Sequence, residues 1–238
     1  MTKTLDFCTL NNHHMIIPSS FNGYNFIEFL DRGGSSVVIL VENQMKKRYA
    51  AKIISKDDIK KRNLYELIRK EISVHKTLKH PNIVQFHDSF EIISEDEKDE
   101  LIIVIMEYCE NGDLLKYVTN TGFKTEEMKK KIIRDFLKGI QYLHSQEISH
   151  GDIKVENILL DSNLDAKLCD FGYCRTRKIG GNESKNGTLY YAAPELFIND
   201  QFNTLKTDIY SIGITLFALS ELRFPFSSQN KDYIVLQI

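Results

Sequence analysis

The stretch ISHGDIKVENILLDSNLDAKLCDFG, Ile148 to Gly172, decides how the rest of the chain is read. It gathers His150, Asp152, Lys154, Asn157 and Asp170 into a run that is polar, then apolar, then polar again. Core packing alone does not call for so many polar groups together. Ile158-Leu159-Leu160 and Ala166-Lys167-Leu168 read as two short strands flanking a turn at Asp161-Ser162-Asn163. Such a hairpin would hold its polar ends side by side. One end then offers a carboxylate, an ammonium and an amide oxygen, and the other a second carboxylate, Asp170, on a flexible Phe-Gly hinge. Asn157 and Asp170 are hard oxygen ligands of the kind that hold magnesium together with a substrate's phosphates. Asp152 would act as the base.

This run resembles the catalytic loop and metal-binding segment of eukaryotic protein kinases, whose pattern is H-R-D-L-x-x-x-N followed by D-F-G. One position departs: where the family usually has Arg, the chain has Gly151, so the motif reads His150-Gly151-Asp152. D-F-G alone arises by chance in many proteins, and a lone H-x-D more often. Both together, in order and at the family's spacing, make the resemblance specific.

With 238 residues the chain has room for one large domain or two small ones, and 42% hydrophobic content suffices for a sizeable core. A net charge of −2 provides no global attraction to nucleic acid or an anionic membrane. The four cysteines, Cys8, Cys109, Cys169 and Cys174, lack metal-ligand spacing and fit a reduced intracellular compartment, cytoplasm and/or nucleus. The opening MTKTLDFCTLNNHH has no uninterrupted apolar core of a signal peptide. The most apolar later runs, 101–106 and 209–219, are too short to span a bilayer.

Residues 1–25 show no clear period and are expected to be a loosely ordered leader. From Phe26 the segments FIEFL, VVILVE and RYAAKII read as an antiparallel meander, with turns at 31–36 and 43–47. The first turn, from Leu30 through Gly33 to Val38, is similar to the family's Gly-rich loop, which lies close over phosphates. Gly33 and Val38 match; Asp31 and Ser36 stand at the first and third glycine positions. An ordinary hairpin turn remains the alternative. Lys52, inside an apolar strand, needs an anionic partner. A helix over 60–78, with Leu64, Leu67, Ile68, Ile72 and Leu78 periodic, carries Glu71. The resemblance implies that Glu71 orients Lys52, which grips the α- and β-phosphates.

His80-Pro81-Asn82 ends that helix and leads into strands 84–93 and 101–107, separated by an acidic tip at 94–100. Residues 101–109 resemble the family's hinge: Met106 would stand beside adenine, and the backbones of Glu107 and Cys109 would meet its edge. Asp113 matches the position that contacts ribose and also reads as a helix N-cap. Thr125 starts a helix whose stripe is Met128, Ile132, Phe136 and Ile140. Residues 175–185 read as a loop, with Ser184 at the usual phosphosite position. They run into Gly187-Thr188 and Ala193-Pro194-Glu195, similar to the family's substrate-docking segment. Asp208, on a central helix over 207–222, would accept hydrogen bonds from the catalytic-loop backbone.

The resemblance covers about residues 26–238 and implies an α+β, two-lobed protein-kinase-like fold. A small antiparallel β lobe with one helix (26–108) would be followed by a larger, mainly helical lobe (109–238) lacking its final helices. Magnesium-ATP would lie between the lobes, with Val38, Ala50 and Leu159 sandwiching adenine. Asp152 would accept or orient the substrate hydroxyl proton, Lys154 would stabilise the γ-phosphate, and Asn157 and Asp170 would hold Mg2+. Lys154 and Gly187-Thr188 favour Ser/Thr over Tyr substrates, and Asp113 and Glu156 match positions that receive an Arg upstream of the target. The alternative is a nucleotide-binding pseudokinase or scaffold, suggested by Asp31, Ser36, Gly151 and the expected shortness of the large lobe. Without Arg at position 151, dependence on a phosphate at Ser184 should be weak. Cys169 would border the nucleotide pocket. Because the helix over 207–222 is apolar nearly all round, a partner or self-association through the large lobe's exposed flank is expected.

Overall fold

Val37-Val38-Ile39-Leu40-Val41, Ala50-Ala51-Lys52-Ile53-Ile54 and Leu101-Ile102-Ile103-Val104-Ile105 are nearly continuous apolar runs, the pattern of strands covered on both faces. In the computed structural model they are the centre of a sheet. The structure describes residues 4–8, 14–33, 36–61, 63–93, 100–175, 179–180, 189–198 and 201–226. It divides into two units, Met1–Leu78 with Val84–Tyr108 and Lys79–Ile83 with Cys109–Ile238.

In the first unit β1 (Thr4–Cys8) and β2 (His14–Pro18) form an antiparallel hairpin of their own. Then follow β3 (Ser20–Phe21), β4 (Tyr24–Arg32), β5 (Ser36–Asn43), β6 (Arg48–Ser55), α1 (Lys56–Lys61), α2 (Tyr65–Thr77), β7 (Phe86–Ile93) and β8 (Glu100–Glu107). The described strands pair in the order β3-β4-β5-β6-β8-β7, antiparallel throughout. Val37, Ile39, Val41, Ala51, Ile53, Leu101, Ile103 and Ile105 fill one face. Ile54, Ile102 and Val104 face the other way and pack with Ile59 and Ile68 of the two helices.

Of the residues expected to form a loose leader (1–25), the described ones form mostly strands, and Met15, Ile17 and Phe21 are buried in the first face of the sheet. Met15 and Ile17 alternate at the strand period, a signal too short to stand out beside the polar residues around it. The helix over 60–78 is two helices, so the small lobe has a second, short one. Asn63, at φ 55°, breaks the run, a left-handed conformation that asparagine tolerates better than most residues.

The second unit contains α3 (Leu114–Thr121), α4 (Glu126–Ser145), the antiparallel pair β9 (Ile158–Leu160) and β10 (Ala166–Leu168), β11 (Ile179–Gly180), α5 (Glu195–Ile198), β12 (Phe202–Asn203) and α6 (Thr204–Glu221). β11 pairs with β12. Thr125 caps α4 by accepting from Met128 N at 3.0 Å, and Ile132, Phe136 and Ile140 are buried along its inner side with Gly139 and Leu143. Gly139 lets the Lys79–Ile83 segment and β10 approach closely: a Cβ there would lie 2.7 Å from Asn82 O and 2.9 Å from Leu168 Cδ1. Asn82 clamps β10, donating from Nδ2 to Ala166 O (2.9 Å) and accepting from Leu168 N (3.0 Å). On α6, Ile212, Ile214 and Leu219 are buried, whereas Ile209 is exposed, as is Leu222 just past the helix end.

Candidate active site

The β9–β10 hairpin does for the quoted stretch what its pattern demands: it brings the His150–Asn157 loop, which leads into β9, side by side with Cys169-Asp170, which follows β10, at the same end of the hairpin. The register pairs Ile158 with Leu168 and Leu160 with Ala166. The junction is tied by Cys169 N donating to Asn157 O at 3.0 Å. His150, fully buried, donates from Nε2 to Cys169 O (3.0 Å), while its Nδ1 accepts from Asp152 N (3.3 Å). That pattern fits the neutral tautomer with its proton on Nε2.

Asp152 is 5% exposed. A carboxylate at that depth needs partners, and it has them: Lys154 Nζ at 2.7 Å from Oδ2 and Asn157 Nδ2 at 3.1 Å from the same oxygen. Asn157 Nδ2 also donates to Asp152 O at 2.8 Å. Burial would lower the pKa of the Lys154 ammonium, but its hydrogen bond and attraction to Asp152, with Asp170 and Glu156 nearby, outweigh that and raise it. Asp170 has φ 63°, left-handed backbone that Asp visits more readily than most residues. Phe171 is 2% exposed, its ring 5.6 Å from that of His150, so the expected Phe-Gly hinge is anchored on its Phe side.

The loop backbone hangs on α6. Asp208, 1% exposed, accepts from His150 N (2.8 Å) and Gly151 N (2.9 Å), as the sequence led us to expect. His144, in the last turn of α4, donates from Nε2 to the same carboxylate at 2.8 Å, a contact across 64 residues that no local pattern signals. Gly151 lies at φ 79°, and a Cβ on it would sit 2.5 Å from Tyr173 O. The missing arginine is thus also a backbone statement: the loop has a shape that glycine alone takes without strain. Tyr191, likewise unforeseen, is buried and donates to Glu156 Oε2 at 3.2 Å. Burial, reinforced by the Glu156 charge, raises its pKa and keeps it a phenol.

In the first unit the register sets Val38 opposite Lys52, and Ala50 opposite Met106. By the two-residue period of strands these four share a face. Lys52 Nζ meets Glu71 Oε1 of α2 at 2.6 Å, both side chains largely buried. Leu30 and Gly33 lie at the end of β4 and just beyond it, and Gly33 N donates to Ser36 O at 2.8 Å. Glu107 N donates to Gln85 O at 2.9 Å at the end of β8. Cys109, Asp113 and Leu159 belong to the second unit, where Asp113 and Leu159 form an isolated bridge and Asp113 caps α3 by accepting from Lys116 N. Gly34, Ser35, the acidic tip at 94–99, Ser184 and Gly187-Thr188 lie outside the described residues.

Asn157 and Asp170 fit a hard cation by their chemistry. Asn157 gives its Nδ2 to Asp152, which orients its Oδ1 acceptor elsewhere, and Asp170 adds a carboxylate. Two oxygen ligands suit magnesium, which keeps waters and substrate phosphates as its remaining ligands. Among the described residues no group of three or more His, Cys, Asp or Glu side chains is placed to hold a metal ion by itself.

The family model described as the protein kinase domain matches residues 24–238. The chain belongs to the protein kinase family. This kinase domain is 34% identical over 215 residues to the serine/threonine-protein kinase SIK1 of Rattus norvegicus, covering 90% of the chain and 27% of that protein. It is 33% identical over 228 residues to the serine/threonine-protein kinase cds1 of Schizosaccharomyces pombe (91% and 48%). To the serine/threonine-protein kinase SRK2I of Arabidopsis thaliana it is 32% identical over 225 residues (92% and 60%). The kinase domain therefore spans between about a quarter and three fifths of these relatives' lengths. None of its described helices is long and apolar enough to cross a membrane.

Proposed function

We propose that this kinase domain transfers the γ-phosphoryl group of magnesium-ATP to Ser or Thr hydroxyls of protein substrates inside the cell. The observation that carries the proposal is the buried Asp152 carboxylate, held by Lys154 and Asn157, with the Asp170 charge near enough to Lys154 to stabilise its ammonium. Asp152 takes the hydroxyl proton as the substrate oxygen bonds to the γ-phosphorus and the bond to the bridging oxygen of ADP breaks. Lys154 stays charged and meets the γ-phosphate. Lys52, oriented by Glu71, holds the α- and β-phosphates, so two cations of the chain share the charge that shifts during transfer. Asn157 and Asp170 would hold the magnesium, which would supply further neutralisation of the phosphates. Val38, Ala50, Met106 and Leu159 take the adenine, the backbones of Glu107 and Cys109 its edge, and Asp113 the ribose. Asp113 and Glu156 favour substrates with an upstream Arg.

The relatives' names support Ser/Thr substrates. The test is transfer of labelled γ-phosphate to a Ser/Thr peptide library, with Asp152→Asn and Lys52→Met as controls. We expect both variants to lose several orders of magnitude in rate. Turnover by Lys52→Met at the wild-type rate would remove the assignment; nucleotide binding without any transfer by the wild type would establish the pseudokinase alternative.

A further inference from the structure

Val38, Ala50, Lys52 and Met106 lie on one face of the first unit's sheet; the β1–β2 hairpin contributes to the opposite one. Met15 and Ile17 are buried against Val37, Ile39 and Val41 there. Opposite Met15 in the hairpin stands Phe7, whose ring lies 6.1 Å from that of Phe26 and 5.8 Å, nearly parallel, from that of Phe29. Phe26 and Phe29 are three residues apart and would point to opposite faces in a regular strand. The register explains why both meet Phe7. Phe26 pairs with Val41 and Phe29 with Ile39, two residues apart, because β4 carries an extra residue between Phe26 and Glu28. A second irregularity, between Phe29 and Asp31, brings Asp31 opposite Val38. Bulges of this kind re-aim side chains and interrupt a ladder, so a strand with two of them needs fixing from outside.

From these contacts we propose that the β1–β2 hairpin is a brace for the bulged end of β4, and that Phe7 is a positioning residue for the phosphate end of the nucleotide. β4 runs directly into Gly33, whose N–H closes onto Ser36 O. A slip of one residue in β4 would displace Leu30 and Gly33 together while leaving Ala50 and Met106, on β6 and β8, in place. The hairpin precedes residues 24–238, which match the family model, so the brace is not part of the family's own pattern. The inference rests on the nucleotide reading above.

The experiment measures binding of ATP with magnesium, and separately of adenosine, to the full chain by calorimetry. Phe7→Ala should weaken ATP at least fivefold and adenosine less than twofold, and Phe7→Tyr should restore wild-type values. A merely structural loss would weaken both ligands alike. Phe29 is 46% exposed, so Phe29→Ala leaves the core filled and carries the test if Phe7→Ala does not fold. It should show the same selective loss, and the double variant no more than either single one. Equal loss of both ligands, or no loss of ATP, overturns the brace. A wild-type chain that binds neither ligand overturns the nucleotide reading and the brace with it.

Discussion

Gly151 and Asp170 both hold left-handed backbone within the same site, for different reasons. At Gly151 the obstacle to any other residue is Tyr173 O, 2.5 Å from a would-be Cβ, and main chain cannot swing aside as a side-chain tip can. Gly151→Ala should therefore cost about 1–3 kcal/mol in urea unfolding and slow transfer at least tenfold; wild-type stability and rate would show that the loop adapts freely. Lys154 has a raised pKa, so its charge and its tie to Asp152 are complete below the ordinary lysine value of 10.5 and fade only as pH climbs above it. The pH–rate profile should show no loss assignable to a lysine between pH 7 and 10. A descending limb there that disappears in Lys154→Arg would contradict this. The cluster of Asp152 with Lys154 and Asn157 was legible because its members lie within six residues of one another in sequence. His144 and Tyr191 were not, since each acts through a partner far away in sequence.

Among the elements, α4 was readable from its stripe and its Thr125 cap, because both signals are local. The split between α1 and α2 was missed: Asn63 in left-handed backbone is one residue's choice within a run that otherwise keeps its period. The β1–β2 hairpin was missed because its strands are short and stabilised by the sheet beneath rather than by their own pattern. Gly139 shows the same lesson inside α4. Glycine there costs the helix about 1 kcal/mol in propensity, yet Gly139→Ala should destabilise further by about 1–3 kcal/mol through overpacking against Asn82 O and Leu168. Thermal unfolding reads the sign, and a stabilised variant would mean the contact relaxes without strain.

For the molecule as a whole, ligand binding is the plainest readout of the site. If the nucleotide reading holds, magnesium-ATP at a hundred times its dissociation constant should add about 2.7 kcal/mol of stability. In a chain of 238 residues that corresponds to a rise in melting temperature of roughly 5–11 °C. Chelating the metal should remove most of the rise, and Asp170→Ala should abolish the metal-dependent part. An undiminished shift in that variant would place the metal elsewhere. The antiparallel β and helical regions were both legible from periodicity and turn residues, whereas the second layer over the first unit's sheet emerged only with the structure.

Asp208 receives the backbone of His150 and Gly151 across 58 and 57 residues. During synthesis the catalytic loop leaves the ribosome well before the carboxylate that shapes it. At about 5–20 residues per second the delay is roughly 3–12 s. For that interval the loop has its polar side chains but not the carboxylate that holds its backbone, so its final shape waits until α6 has emerged and folded.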